Sequence, residues 1–187
     1  IAFKEALRPT GRGPSWSATK RDGQGAWWAC VTLVNNTLLR HGPAESDGLH
    51  PVPLGTQEDP LMLITCGSPD LWILASPSPG QPADRILRVD PVTQRITARY
   101  VLPFPLLETD YRAVSAVHFG SDGSLWLGTR QGVLEWRSQQ WTVHKPVPGD
   151  PNALPSERIF SLCADPDSAD AVLWVGTEDA GLVRMDM

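Results

Sequence analysis

Four short polar stretches hold the groups most able to act on another molecule: Asp110-Tyr111-Arg112, Arg130-Gln131, Ser156-Glu157-Arg158 and Glu178-Asp179. Guanidinium, carboxylate and amide groups gathered in one place hydrogen-bond the hydroxyls and charges of a polar ligand. A tyrosine adds a flat apolar face with a polar tip. The chemistry this set suits is recognition of a small polar ligand such as an oligosaccharide. Tyr111 would be the stacking platform, with Arg112, Arg130, Gln131, Arg158, Glu178 and Asp179 as polar partners. Taken singly, each is an ordinary solvated loop residue or one half of a surface ion pair. The set acquires meaning only if one rim carries it. Catalysis finds less support. His118 precedes Asp122 on a short stretch, and such a pair can serve as a general acid–base or as the hydrogen-bond anchor of a turn. No nucleophile motif or metal-ligand cluster stands beside it, so no catalytic residue, metal or cofactor is expected.

The apolar segments between these stretches decide where the loops go. Ser121 to Trp136 reads as three short strands and two tight turns. Asp122-Gly123 signals a two-residue primed turn. Leu125 to Thr129 has the composition of a strand covered on both faces, and Gly132 lets the chain reverse before Val133-Leu134-Glu135-Trp136. Val172 to Arg184 repeats the pattern nearly letter for letter. The tryptophans at the strand position are read as Trp27, Trp72, Trp126 and Trp174, with spacings of 45, 54 and 48. A four-stranded propeller blade needs roughly 40–50 residues. In the first copy, Trp27-Trp28-Ala29-Cys30 stands for Trp-Leu-Gly-Thr; in the second, Trp72-Ile73-Leu74-Ala75 keeps the tryptophan and loses the glycine. In this reading Trp126 and Trp174 bury flat area between blades, and Gly128 and Gly176 allow close backbone approach.

The expected fold class is therefore all-β: a β-propeller of about four blades, each of four antiparallel strands, over 1–187 as one domain or part of one. The blades are placed at 15–60, 61–102, 113–145 and 159–187. Blade one runs from an inner strand at Ser15 to Thr19, through a turn at Asp22-Gly23, to a brief outer strand around Val52 to Leu54. Blade two has inner strand Leu61 to Cys66, then Leu71 to Leu74, Arg85 to Val89 and Ile96 to Val101, with a proline-rich insertion at Ser76 to Asp84. That insertion is either a docking loop or a tolerated surface loop. Blade three has Ala113 to Phe119, Leu125 to Thr129, Val133 to Trp136 and Trp141 to His144. Blade four has Ile159 to Ala164, Val172 to Gly176 and Leu182 to Met185, without its outermost strand.

Leu-Trp-Leu-Gly-Thr followed by Gly-Val-Leu, Leu-Trp-Val-Gly-Thr followed by Gly-Leu-Val-Arg, and the lead-in Asp150 to Leu162 together resemble the two-component regulator propeller repeat. The match is specific from Val114 to Asp186 and loose from Ser15 to Leu102. That repeat builds the extracytoplasmic sensor region of many bacterial signalling receptors. The resemblance implies a ligand- or partner-binding sensor module, periplasmic or extracellular, and not an enzyme. A propeller lyase or glycosidase, or a plain interaction scaffold, are the alternatives. It also implies more than four blades, completed by further sequence or by a second copy. A four-blade ring would instead need Ile1-Ala2-Phe3-Lys4 as the missing strand.

Bulk composition fits a chain of many short strands and narrows the classes of partner. Sixteen basic against 21 acidic residues give −5, with no basic stripe suited to nucleic acid. No run of 18 apolar residues suggests a membrane span. Pro 18 and Gly 16 fit a chain of short strands and turns. Cys30, Cys66 and Cys163 have no metal-ligand spacing and read as small buried hydrophobes in strands. The start at Ile1, without Met, is expected of a mature or excised fragment.

Overall fold

The computed structural model describes residues 15–16, 20–22, 24–32, 37–44, 46–64, 70–106, 113–168 and 171–187. Every helix or strand among them is a β-strand. The chain divides into two compact units, Ile1–Thr109 and Asp110–Met187. Each holds two antiparallel sheets with strands in sequence order.

In the first unit, β1 (Ser15–Trp16) and β2 (Lys20–Arg21) both pair with β3 (Trp27–Thr32), followed by β4 (Thr37–His41) and β5 (Leu49–Pro51). Of the expected inner strand over Ser15 to Thr19, Ser15 and Trp16 pair with β3, residues 17–19 lie outside the described residues, and Lys20 and Arg21 carry the pairing beyond the expected end. The outer strand also lies ahead of the expected Val52 to Leu54, because Val52 turns inward. Its N–H reaches the Leu38 carbonyl at 2.8 Å and its side chain is buried.

Trp28, not Trp27, holds the repeat position. It pairs across the strands with Arg40, as Trp72 does with Arg88 and Trp174 with Arg184. Trp28 is fully buried, whereas Trp27 is 42% exposed. The choice is made by the preceding turn. Asp22 accepts the N–H groups of Gln24 and Ala26, both at 2.9 Å, and the Trp28 indole N–H at 2.8 Å. Cys30 consequently takes the glycine position, and its thiol lies 3.1 Å from the Pro60 carbonyl oxygen. Burial, reinforced by the Asp59 charge, pushes this thiol up to about 12.

The second sheet comprises β6 (Asp59–Ile64), β7 (Leu71–Ser76), β8 (Ala83–Asp90) and β9 (Arg95–Leu106). Its inner strand starts earlier than the expected Leu61 and brings a buried carboxylate, Asp59, onto an inner strand. Pro60 had disguised that start as a turn. β9 extends past Val101 through Pro103 and Pro105, which an edge strand tolerates. Trp28, Leu38 and Val52 of the first sheet share one core with Leu63, Leu71, Ile73 and Leu87 of the second.

The second unit contains β10 (Val114–Phe119), β11 (Leu125–Thr129), β12 (Gly132–Arg137) and β13 (Gln140–His144) as one sheet. The other is β14 (Ile159–Ala164), β15 (Val172–Thr177) and β16 (Leu182–Asp186). These bounds follow the expected ones closely, but the turns do not. The β10–β11 connection is longer than a two-residue turn: Gly120 N–H bonds the Ser124 carbonyl at 2.9 Å, and Gly123 alone has positive φ there, at 84°. The two-residue primed turn is Ser138-Gln139, with φ of 51° and 64°, between β12 and β13.

Trp126 is 1% exposed and packs with Leu154, Ile159, Leu173 and Val175, so the fourth sheet and its lead-in cover it. Its indole N–H donates to the Ser124 hydroxyl at 3.0 Å. Trp174 instead donates to Asp165 at 3.1 Å and is half-buried. A Cβ on Gly128 would meet Ile159 Cγ2 at 2.9 Å, the close approach that the glycine makes possible. Beside it the Ser115 hydroxyl lies 2.6 Å from the Ile159 carbonyl oxygen and 3.1 Å from that of Gly128. Cys163 is exposed, contrary to the buried role expected of it, and Cys66 lies outside the described residues. Three inner strands share one irregularity: Leu61, Ser115 and Phe160 are each an extra residue, a bulge at the same point of β6, β10 and β14.

Candidate functional site

The turns expected to carry the polar groups are built by the threonines that end β11 and β15. The Thr129 hydroxyl donates to the Gly132 carbonyl at 2.8 Å and accepts the Gln131 N–H at 3.0 Å. Thr177 does the same with the Gly181 carbonyl at 2.8 Å and the Ala180 N–H at 3.1 Å. Gly-Thr is therefore a turn-forming pair that presents Arg130-Gln131 and Glu178-Asp179 at corresponding points of the two sheets.

Both turns are tied to the link that enters β14. Gly132 N–H bonds the Glu157 carbonyl at 2.7 Å, and Glu178 N–H bonds the Arg158 carbonyl at 2.9 Å. Ser156 is buried in this link, and its hydroxyl accepts the Arg158 N–H at 3.1 Å. The side chains then converge. Arg130 Nη2 lies 3.3 Å and Arg158 Nη1 3.4 Å from one and the same oxygen, Oε2 of Glu178. All three are partly exposed. Exposed ion pairs of this kind contribute about 0–1 kcal/mol, so a ligand hydroxyl or carboxylate can replace them at little cost. Gln131 is half-buried on the first turn and Asp179 is exposed on the second. Of the residues singled out in the sequence, the structure brings Arg130, Arg158 and Glu178 into contact and places Gln131 and Asp179 on the same turns. Tyr111 and Arg112, with Asp110, lie outside the described residues.

Asp122 anchors its turn. It accepts the Ser124 N–H at 2.9 Å and pairs with Arg137 at 3.1 Å. The Ser124 hydroxyl, its N–H and the Arg137 charge hold the Asp122 carboxyl below the usual aspartate range. His118 lies on β10 directly across from Trp126. Among the described residues, no group of His, Cys, Asp and Glu is placed to hold a metal ion. No helix among them is long and apolar enough to cross a membrane.

Two polar clusters were not singled out from the sequence. In the first unit, Glu58 is nearly buried beneath Arg85 at 3.1 Å and Arg99 at 3.0 Å. Burial opposes its charge, but hydrogen bonds from Arg85, Arg99 and Thr56 outweigh that and lower its pKa. In the second unit, Glu135 bonds His144 at 2.8 Å and Arg137 at 2.8 Å, and the His144 ring stacks on Trp126 with centroids 5.7 Å apart. Glu135 and His144 sit on the paired strands β12 and β13, and Glu58, just ahead of β6, meets Arg85 of β8 and Arg99 of β9, so no local spacing reveals these contacts. His144 also lines a groove of about 840 Å³ with Val143, Leu154, Val183, Arg184 and Met185.

No protein-family model and no curated protein matches the chain. Among solved structures the fold is similar to the extracellular domain of a one-component system of B. thetaiotaomicron. The TM-score is 0.64 and the identity 15%, over 95% of this chain and 22% of that one. It is also similar to the extracellular domain of a hybrid two-component system of the same organism, with TM-score 0.53 and 13% identity over 92% and 23% of the chains. A third similar structure is catalytically inactive virginiamycin B lyase from Staphylococcus aureus, with TM-score 0.53 and 16% identity over 96% and 58%. At such identities the likeness is one of fold: the four antiparallel sheets are blades of a β-propeller. The resemblance read from the Trp-x-Gly-Thr repeat holds at that level, and the chain spans less than a quarter of the two receptor domains.

Proposed function

We propose that this chain is the recognition part of a bacterial signalling receptor, held outside the cytoplasm, that senses a polar ligand or a partner domain. The rim formed by Arg130, Gln131, Arg158, Glu178 and Asp179 receives an oligosaccharide, with Tyr111 and Arg112 as further members. The observation that carries this reading is the convergence of two guanidinium groups on one carboxylate oxygen, on turns fixed by threonine hydroxyls. A sugar hydroxyl pair or a uronate carboxylate matches the fork of either arginine. The propeller fold shared with extracellular domains of signalling systems supports the sensor role and the location. Binding would act on the output by favouring one of two blade arrangements, since a ligand shifts states only through differential affinity. The chain itself would do no chemistry, with Asp122 spent on its turn.

Thermal-shift screening of the 187-residue chain against neutral and acidic oligosaccharides tests this. A binder at a hundred times its Kd adds about 2.7 kcal/mol of stability, and the double variant Arg130→Ala/Arg158→Ala abolishes the shift. A shift that survives this double variant removes the rim from consideration. Turnover of a polysaccharide or a streptogramin by the chain would overturn the non-catalytic reading in favour of a lyase.

A further inference from the structure

Among the described residues two glutamates each face a pair of arginines, and the two are built differently. Glu58 uses both oxygens: Oε1 accepts Arg85 at 3.1 Å, and Oε2 accepts Arg99 at 3.0 Å and the Thr56 hydroxyl at 3.1 Å. Only 7% of its side chain is exposed. Glu178 is the opposite case. Its Oε2 serves both Arg130 Nη2 at 3.3 Å and Arg158 Nη1 at 3.4 Å, while its Oε1 accepts nothing among the described residues. Strong guanidinium–carboxylate bonds are about 2.7–2.9 Å long and are often parallel pairs. Neither arginine makes such a pair with Glu178, and Nε and Nη2 of Arg158 meet no acceptor among the described residues.

The backbone here is fixed, whereas the carboxylate is not. The N–H groups of Gly132 and Glu178 bond the Glu157 and Arg158 carbonyls at 2.7 and 2.9 Å, so the link and both turns keep their places. The Glu178 side chain is 32% exposed and can rotate outward without breaking either bond. Its departure leaves two guanidinium groups facing one carboxylate-sized slot. Building on the rim reading above, we propose that the slot takes the carboxylate of an acidic sugar, a uronate, and that Glu178 fills it in the ligand-free chain as an internal competitor. The Glu178 carboxylate itself marks the chemistry that fits between Arg130 and Arg158. A neutral sugar would either expel Glu178 and leave two cations facing hydroxyls alone, or bind beside it without using the slot. A uronate replaces charge with charge, reaching Arg158 through its unused Nε and Nη2, and leaves the Gln131 amide for ring hydroxyls.

Calorimetric titration of the 187-residue chain with trigalacturonate, and with its methyl ester as the uncharged twin, tests this at fixed ionic strength. Trigalacturonate is expected to bind about tenfold more tightly than the ester, since it alone offers charged acceptors. Glu178→Ala is expected to tighten trigalacturonate about fivefold, the upper range for an exposed ion pair no longer competing. Glu157→Ala removes the same charge beside Arg158 without clearing the slot, and a change under about twofold is expected. The inference fails if Glu178→Ala weakens trigalacturonate or leaves it unchanged, or if neither chain binds it. Equal tightening by Glu157→Ala also overturns it, because net charge would then be the cause. Preference for the ester, abolished by Arg130→Ala/Arg158→Ala, would overturn the uronate and leave the rim standing. Trigalacturonate binding that ignores this double variant would remove the rim as well.

Discussion

β11 and β15 read Leu-Trp-Leu-Gly-Thr and Leu-Trp-Val-Gly-Thr, yet all five residues of β11 are buried while Trp174, Gly176 and Thr177 are half-exposed. β11 pairs with β10 and β12 in the same register in which β15 pairs with β14 and β16. What differs is the covering layer. Leu154, Ile159, Leu173 and Val175 close over Trp126, whereas the corresponding face of the fourth sheet shows Phe160 and Leu182 to solvent. The repeat thus specifies a strand with a tryptophan and a glycine on its outward face. The stabilisation from burying that face belongs to the contact between sheets.

Three pairs of substitutions act on this contrast. Trp126→Ala should cost about 3–5 kcal/mol in urea unfolding, and Trp174→Ala about half of that or less, since its ring is only half-covered. Equal losses would mean that both rings are equally buried in solution. Gly128→Ala should cost about 1–3 kcal/mol, because the new methyl meets Ile159 of the facing sheet. Gly176→Ala meets the Ser161 hydroxyl, which can rotate away, so a smaller shift in denaturation midpoint is expected. Ser115→Ala should cost about 1 kcal/mol through loss of the contact to the Ile159 carbonyl. Phe160→Ser, at the equivalent bulge, should leave thermal stability within error.

The smallest effect concerns pH. Asp122 has a folded-state pKa below its unfolded value, so its contribution is present above about pH 4 and lost as pH falls through the depressed value. Asp122→Asn should flatten the acid limb of the stability profile, and an unchanged limb would remove Asp122 from the account. Asp122 is exposed, so the change should be modest.

Much of this architecture was legible in the repeat. Val133 to Trp136 and Leu182 to Met185 are short, mostly apolar runs of strand length, and Gly132 marked the reversal beside Arg130. Errors arose where local signals were ambiguous. Trp27-Trp28 offers two candidates for one buried position, and only the reach of the Trp28 indole to Asp22 decides between them. Pro60 hid the start of β6, and Ser138-Gln139 forms a primed turn without the usual asparagine or glycine. The candidate rim was legible as residue types on turns. That Arg130 and Arg158 share one oxygen of Glu178 depends on the stacking of two sheets, which no local pattern encodes.

The supernumerary residue in β6, β10 and β14 gives each of these strands one residue of slack. Residues paired directly across two strands look to the same face, so Val114 opposite Thr129 and Ala116 opposite Gly128 look to opposite faces, with Ser115 held between them as the spare. Deleting Ser115 alone would join Val114 to Ala116 with both pairings kept, losing only the contacts of Ser115 itself. Removing a second residue there would slip the register and turn the segment before it to the other face. The mouths of these blades should therefore absorb the loss of one residue and reject the loss of two.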